Sequence, residues 1–490
     1  MLTDEQQVDL EARATAVLHD NWRTVSTVPS ANLYPFQWLW DSGFIALGWS
    51  WIDMDRARLE IQTLYKAQWA NGFLPHIIYH DDSAAKSYFP GSDFQGTAGV
   101  PGVPSHVSTS GITQPPVLGF VLETLHQRET NPAAHRAFYE EAIGQTMKFH
   151  EYLYRDRDPH REGLVYIRHN WESGTDNSAV WDAIWATYEA PEYDVQRRDT
   201  NHVDQTMRPT KKDYNHYLNL IDRSKQVRYD EPKMWETLPF LVQDPLFNSL
   251  LIASNDSLAR LADQLDLPAA AAQARAWNQK TIAALNAKLW DENLGLYGYY
   301  DLRGERFLAT PSAPGIAPLF AGAAVPPDRA ARLRDTLLSP AFTGPEGTGY
   351  LCPSLAYTDP AFDRRRYWRG PVWLNINWLI YRGCQRHGFA DAAARVQSDS
   401  VELVQRYGFY EYFDPVRPAA AMTHRAASAA NSFRGPPRCC LTCCAISVRS
   451  LCMLLPQKFP LNELARLPGC CSLYWPDAGN GLLHAGAEVG

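Results

Sequence analysis

The sequence predicts an all-α protein, a toroid of paired helices whose connecting loops carry the chemistry. Three observations lead there. Apolar residues recur at three- and four-residue spacing through most of the chain, as in DMDRARLEIQTLYKAQ (53–68) and DAAARVQSDSVELVQRYG (391–408), which turns one face of a helix towards a core. Strand signals are short and scattered. The stretches between helical segments are long, and they set Trp, Tyr, Gly and Pro beside acidic residues. A ring of helix ends is where such loops would gather.

In chain order, the periodicity predicts helices over 3–18, 42–67, 115–127, 132–154, 178–187, 211–222, 246–265, 268–290, 326–337, 371–387 and 389–407. No GxGxxG or Walker-type loop occurs, so nucleotide chemistry has no support. There is no heptad array and no short repeat. The polar, tyrosine-rich stretch 190–240 is expected to be an insertion over the mouth of the barrel. A linker would be richer in Gly, Ser or Pro and poorer in aromatics.

The chain of 490 residues, 45% hydrophobic and 20% charged, is long enough to bury a large core. Its net charge of -8 and the absence of a Lys/Arg stripe argue against a nucleic-acid partner. The start, MLTDEQQVDLEARATAVL, lacks the basic and apolar regions of a signal peptide. No apolar run approaches the ~20 residues that cross a bilayer. A cytoplasmic protein with no membrane partner is therefore expected, and a homo-oligomer stays open.

The tail differs in kind. Cys352 and Cys384 alone precede residue 416, whereas Cys439, Cys440, Cys443, Cys444, Cys452, Cys470 and Cys471 follow it. CCLTCC invites a zinc or disulfide reading, but no well-spaced second ligand pair accompanies it, so no metal is predicted. A shift of reading frame soon after Pro415 is the more economical account. Back-translated with GC-rich codons and read two nucleotides later, the tail becomes a turn-rich loop and an apolar helix start. On this reading, residues 1–415 form the catalytic domain and 416–490 stand in place of its last helix.

The 16 Trp and 24 Tyr gather in YPFQWLWD, HNWESG, RYWRGPVW and YEYFD. Flat amphipathic rings suit sugars, covering the C–H face while polar neighbours bond the hydroxyls. Large cores also use aromatics, so composition alone leaves both readings open. Opening a glycosidic bond by inversion needs two carboxyl groups, one protonating the leaving oxygen and one activating water. HNWESGTDNSAVWD (169–182) offers Asp176 after a Ser-Gly turn. Either Asp176 or Ser178 suits a helix N-cap; Ser178 alone suffices, which frees Asp176 to face a cavity. YGFYEYFDP (407–415) offers Glu411 on an extended segment, sharing a face with Phe413. Such an acid is more commonly solvent-facing and inert. Trp373 and Trp378, five apart on a helix, equally suit a core.

HNWESGTDNSAVWD resembles the acid-bearing ESGxDxS segment of glycoside hydrolase family 63 and the related trehalases, and YEYFDP resembles that family's base-bearing segment. The likeness extends in family order through YPFQWLWDSGF (34–44), NGFLPHI (71–77), SYFPG (87–91), SGITQPP (110–116) and RYWRGPVW (366–373). The nearest subgroup is the bacterial mannosylglycerate and glucosylglycerate hydrolases. The resemblance implies an (α/α)6 barrel, an inverting α-glycosidase and no cofactor. It implies Asp176 as general acid and Glu411 as general base. Tyr34, Trp38, Trp40 and Asp41 would line the sugar pocket, with His76, Gln114, Trp171, Tyr367, Trp368 and Trp373 completing its floor and walls. A glycerate aglycone carries a carboxylate and needs donors; Arg208, ahead of Tyr214 and Tyr217, is the expected cation and Tyr88 a second donor.

Other readings stay in view. A neutral disaccharide or oligosaccharide would make the chain trehalase-like or an α-glucosidase. Sugar epimerases on α/α barrels use paired histidines, whereas the motifs here centre on Asp and Glu. An altered C-terminus would suit a protein that binds sugar without turnover. The sequence does not separate glucose from mannose.

Overall fold

The computed structural model describes residues 3–31, 33–80, 88–195, 197 and 204–418. The Cys-rich tail from residue 419, and the frame-shift expectation attached to it, lie outside the described residues. So does part of the 190–240 stretch.

Inner and outer helices alternate along the chain. Every residue of Leu39–Trp49 is buried, as are 16 of the 20 residues of Pro245–Gln264. A helix covered on all sides needs no polar face. Leu39–Trp49 packs on Leu118–Arg128, which packs on Pro245–Gln264, then Ala317–Ala324, then Leu374–Arg386. Each inner segment is backed by an outer helix that buries one stripe: Met54–Lys66, Arg136–Asp156, Pro268–Lys288, Pro327–Leu337 and Ala390–Tyr407 in turn. Rings from four inner segments meet at the centre. Phe120 lies 5.0 Å from Phe320, Trp378 lies 5.5 Å from Phe320, and Phe44 lies 5.6 Å from Trp378, between ring centroids. This plug fills the toroid, and Trp40 stands next to it, 5.9 Å from Phe44.

Several boundaries differ from the sequence expectation, each for a local reason. The single helix expected over 42–67 is two, because the chain bends at Ser50–Asp53 to pass from inner to outer ring. Asp53 caps the second helix by accepting from the Arg56 N–H at 3.1 Å. The helix expected from 132 begins at Arg136, after a 3₁₀ turn capped by Asn131. The span 178–187 holds only the short turns Ala179–Trp181 and Asp182–Trp185. Among the segments not anticipated are the helix Glu231–Thr237 and the inner-ring Ala317–Ala324, whose tight turns are interrupted at Gly322.

Strands among the described residues run to three residues at most, yet one small sheet matters. Gln37–Trp38, Ile77–Tyr79 and Ser108–Thr109 pair antiparallel, with Trp38 opposite Ile77 and Ile78 opposite Thr109. Three motif segments far apart in sequence are thereby laid side by side at one end of the inner ring. Among the described residues no helix is long and apolar enough to cross a membrane.

Candidate active site

Two contiguous cavities open at that end. The inner one, about 430 Å³ with the solvent at its mouth included, is lined by Trp40, Asp41, Gly174, Trp368, Trp373, Asn375 and Glu411. The outer one, about 780 Å³ with the solvent at its mouth included, is lined by His76, Tyr88, Trp171, Arg208, Tyr214 and Tyr217. Tyr34, Trp38, Gln114, Asp176 and Tyr367 line both. All fifteen site residues expected from the sequence thus face one continuous space. Trp378 does not; it belongs to the aromatic plug, while Trp373 stands on the cavity wall.

The Asp176 loop is shaped by its neighbours. A 3₁₀ turn over Asn170–Ser173 ends at Gly174, whose φ is +73°. A Cβ there would come within 2.6 Å of the Trp40 ring, so both backbone conformation and close approach require glycine. Asn170 Nδ2 donates to the Asp176 carbonyl at 2.7 Å. Ser178 Oγ accepts from the Val180 N–H at 3.4 Å and so fills the cap, leaving the Asp176 side chain to the cavity. Glu172, four residues before it, has a different place. It is fully buried, takes two bonds from Arg157 at 3.0 and 3.1 Å, and accepts from the backbone of Arg168 and Thr113 at 2.7 and 3.1 Å. Burial opposes its charge, but the two arginines win and hold its carboxyl down at about 2. It clamps the Asp176 loop to the loop that carries Gln114.

On the opposite wall, Val372 and Phe413 exchange backbone bonds of 2.8 and 2.9 Å, which fixes the segment that presents Glu411. The hydroxyls of Tyr34 and Tyr367 both donate to Glu411 Oε1 at 3.2 Å. Trp368 has a φ of +59°, a costly conformation for a bulky residue. Its ring stacks on Trp373 at 3.7 Å and 5°, making a flat wall. Asp41 sits in the first turn of Leu39–Trp49, where the helix dipole favours a carboxylate. Gln114 Oε1 accepts from the Trp40 N–H at that same helix start, at 3.1 Å.

Electrostatics mark out Asp176. Burial lifts the Asp176 carboxyl to about 8; Arg208 pulls against that rise, while Glu411 and Asp41 add to it. The Arg208 guanidinium lies 4.1 Å from the Tyr367 ring centroid and 3.4 Å from the Tyr34 hydroxyl. It is the one arginine or lysine lining either cavity among the described residues. The histidines are neutral: burial drops His76 to about 3 and His169 to about 4. His169 Nδ1 accepts from the Trp171 N–H at 3.0 Å, so Nε2–H donates to the Tyr217 carbonyl at 3.0 Å, and the ring lines neither cavity. A pair of proton-shuttling imidazoles is therefore not assembled here. Among the described residues no group of His, Cys, Asp or Glu could hold a metal ion.

Sequence reasoning passed over Asn375, Gly174 and the apolar contributors Leu33, Ile77, Phe89 and Pro209. Gly174 had a signal, the Ser-Gly pair before Asp176. Asn375, one of two asparagines in the first turn of Leu374–Arg386, had none.

The chain is similar to known proteins along most of its length. Residues 34–427 match the family model described as the mannosylglycerate hydrolase MGH1-like glycoside hydrolase domain. A mannosylglycerate hydrolase of Rubrobacter radiotolerans is 42% identical over 412 residues, covering 83% of this chain and 92% of that protein. A glucosylglycerate hydrolase of Mycolicibacterium hassiacum is 33% identical over 418 residues, covering 83% and 92%. The crystal structure of a family 63 mannosylglycerate hydrolase from Thermus thermophilus, in complex with Tris and D-glycerate, superposes with a TM-score of 0.78 at 36% identity, covering 91% of this chain and 99% of that one. The chain belongs to the MGH1-like family of glycoside hydrolases and is a glycoside hydrolase built on an (α/α)6 toroid.

Proposed function

We propose that this enzyme is an inverting α-glycosidase that splits a small α-glycoside of glycerate, glucosylglycerate or mannosylglycerate, into free sugar and glycerate. One observation carries the reading. An acid kept protonated by burial and a carboxylate fed by two tyrosine hydroxyls share an aromatic cavity, and the cation in the lining stands at its outer part.

In this account the sugar ring enters the inner cavity, between Trp40 and the stacked Trp368 and Trp373. With a carboxyl at about 8, Asp176 is about nine-tenths protonated at pH 7, whereas an ordinary aspartic acid would be less than ~0.1% protonated. Asp176 gives its proton to the glycosidic oxygen as that bond breaks. Glu411 takes a proton from the water that attacks the anomeric carbon on the opposite face, and the sugar leaves as the β-anomer. Tyr34 and Tyr367 position Glu411. The glycerate occupies the outer cavity, its carboxylate against Arg208 with Tyr88 and His76 beside it. Relatives named for both glycerate glycosides, and one crystallised with D-glycerate, support that aglycone. A neutral disaccharide would bring no counter-charge to Arg208.

The same reading takes residues 1–415 as the catalytic domain and the following tail as the product of a shifted frame. Reading the source DNA tests it, and a single frame through the tail with no alternative helix would refute it. The substrate proposal is tested by turnover of glucosylglycerate, mannosylglycerate and trehalose by the wild type, Asp176→Asn and Glu411→Gln. Turnover of a glycerate glycoside, lost by at least ~10²-fold in both variants, is expected. Turnover of trehalose alone would refute the aglycone, and binding without turnover by the folded wild type would refute the activity.

A further inference from the structure

The buried asparagines of this protein mostly have structural employment. Asn170 Nδ2 holds the Asp176 carbonyl, Asn248 Nδ2 bonds two carbonyls at 2.9 Å, and Asn278 Nδ2 bonds the Ile252 carbonyl at 2.9 Å. Asn377, two residues further along Leu374–Arg386, donates to Ser400 Oγ at 3.1 Å. The amide oxygens of Asn170, Asn278 and Asn377 are unpartnered, as that of Asn375 is, but their nitrogens are bonded, whereas among the described residues the Asn375 side chain makes no hydrogen bond. Asn375 is 1% exposed and lies in the first turn of that helix, on the wall of the inner cavity. Its amide oxygen is sealed from solvent with no hydrogen-bond partner. On the same wall, the indole Nε1 of Trp373 is also buried and unpartnered.

Leaving one such group unsatisfied costs about 1–3 kcal/mol, and buried polar groups are normally bonded. Two of them, two residues apart, border a cavity that also presents Asp41 and Glu411. An amide offers both donor and acceptor, whichever way round it sits, and an indole N–H adds a donor. A ring of vicinal hydroxyls takes that combination, because each hydroxyl can give and receive a bond. An apolar ligand would leave both groups unmet.

We propose that Asn375, with the Trp373 indole N–H, binds a hydroxyl of the sugar ring and thereby helps select which monosaccharide the inner cavity accepts. The proposal rests on the inner cavity being the sugar subsite, but not on the glycerate aglycone or on turnover. It is tested on the full chain by calorimetric binding of glucose, mannose and their monodeoxy analogues to the wild type and Asn375→Ala. Asn375→Asp carries the same comparison should the alanine variant not fold. The expected result is a ~10-fold or larger loss of affinity for the parent sugar. That loss shrinks to within ~2-fold for the one deoxy analogue that lacks the hydroxyl concerned. An equal loss for every analogue marks a merely structural residue and overturns the proposal, as does wild-type protein that binds none of these sugars. Failure of the glycerate assignment alone leaves these ratios unchanged, so the two readings fail separately.

Discussion

Replacing Arg208 by Gln should move two observables in opposite directions. Arg208 is 7% exposed, and its guanidinium lies against the Tyr367 ring. It counters the burial that lifts the Asp176 carboxyl to about 8. Removing the cation therefore raises the acid further. An opposite charge at close range lowers a carboxyl by about 1–3 pH units, and the lower end suits two groups that face one cavity without an ion pair between them. The alkaline limb of kcat/KM should thus rise by about one pH unit. A charge-assisted bond to a substrate carboxylate is worth about 1.5–3 kcal/mol, so kcat/KM for a glycerate glycoside at pH 7 should fall ~10- to 150-fold. A neutral α-glycoside of the same sugar should lose far less. The assay is kcat/KM against pH for both substrates in wild type and Arg208→Gln. An alkaline limb that stays or falls would refute the electrostatic argument, and equal losses on both substrates would refute the carboxylate anchor.

Three further outcomes follow from the same physics. Glu172→Gln removes one of the two carboxylates that Arg157 and Arg168 share and leaves them Glu231, which should cost about 1–3 kcal/mol; a lowered thermal midpoint together with reduced activity is expected, and an unchanged midpoint would contradict the clamp. Gly174→Ala needs a strained φ and meets the Trp40 ring at 2.6 Å, so activity should drop at least ~10-fold through a displaced Asp176, with near-normal kcat/KM as the contrary result. Asp244, the N-cap of Pro245–Gln264, is lifted by burial to about 7 against the pull of the Leu246 and Phe247 N–H groups. Its folded value lies above the unfolded one, so its contribution to stability is complete below about pH 4 and is lost as pH rises to about 7. Asn caps equally well without a charge. Asp244→Asn should therefore gain stability over the wild type progressively across that window, and a gap in thermal midpoint that is flat with pH would contradict the buried charge.

How much the sequence reveals depends on what kind of information each residue holds. Motif loops are legible because aromatic, acidic and Gly residues stand out from helical periodicity, and the ordered segments 34–44, 71–77, 110–116, 169–182, 366–373 and 407–415 do converge. What they leave unsaid is which carboxyl does what. Spacing cannot separate Glu172 from Asp176, because the difference lies in Arg157, which is distant from the motif and approaches only in the fold. The inner helices are the hardest to delimit, since Leu39–Trp49 is buried on every face and so lacks a polar stripe to mark its phase. The bend at Ser50–Asp53 is hidden for the same reason, as apolar residues continue through it. Asn375 looks like one more core position until the cavity is seen beside it.

The central claim is that Asp176 and Glu411 act from opposite faces of the anomeric carbon. The most direct test follows the anomer released from an α-glycoside of glycerate by proton NMR, in the first minutes before mutarotation. The account predicts the β-sugar first, with the α-anomer growing in later at the uncatalysed rate. If the α-sugar appears first, water does not attack opposite the leaving group, and the roles given to both carboxyls are wrong.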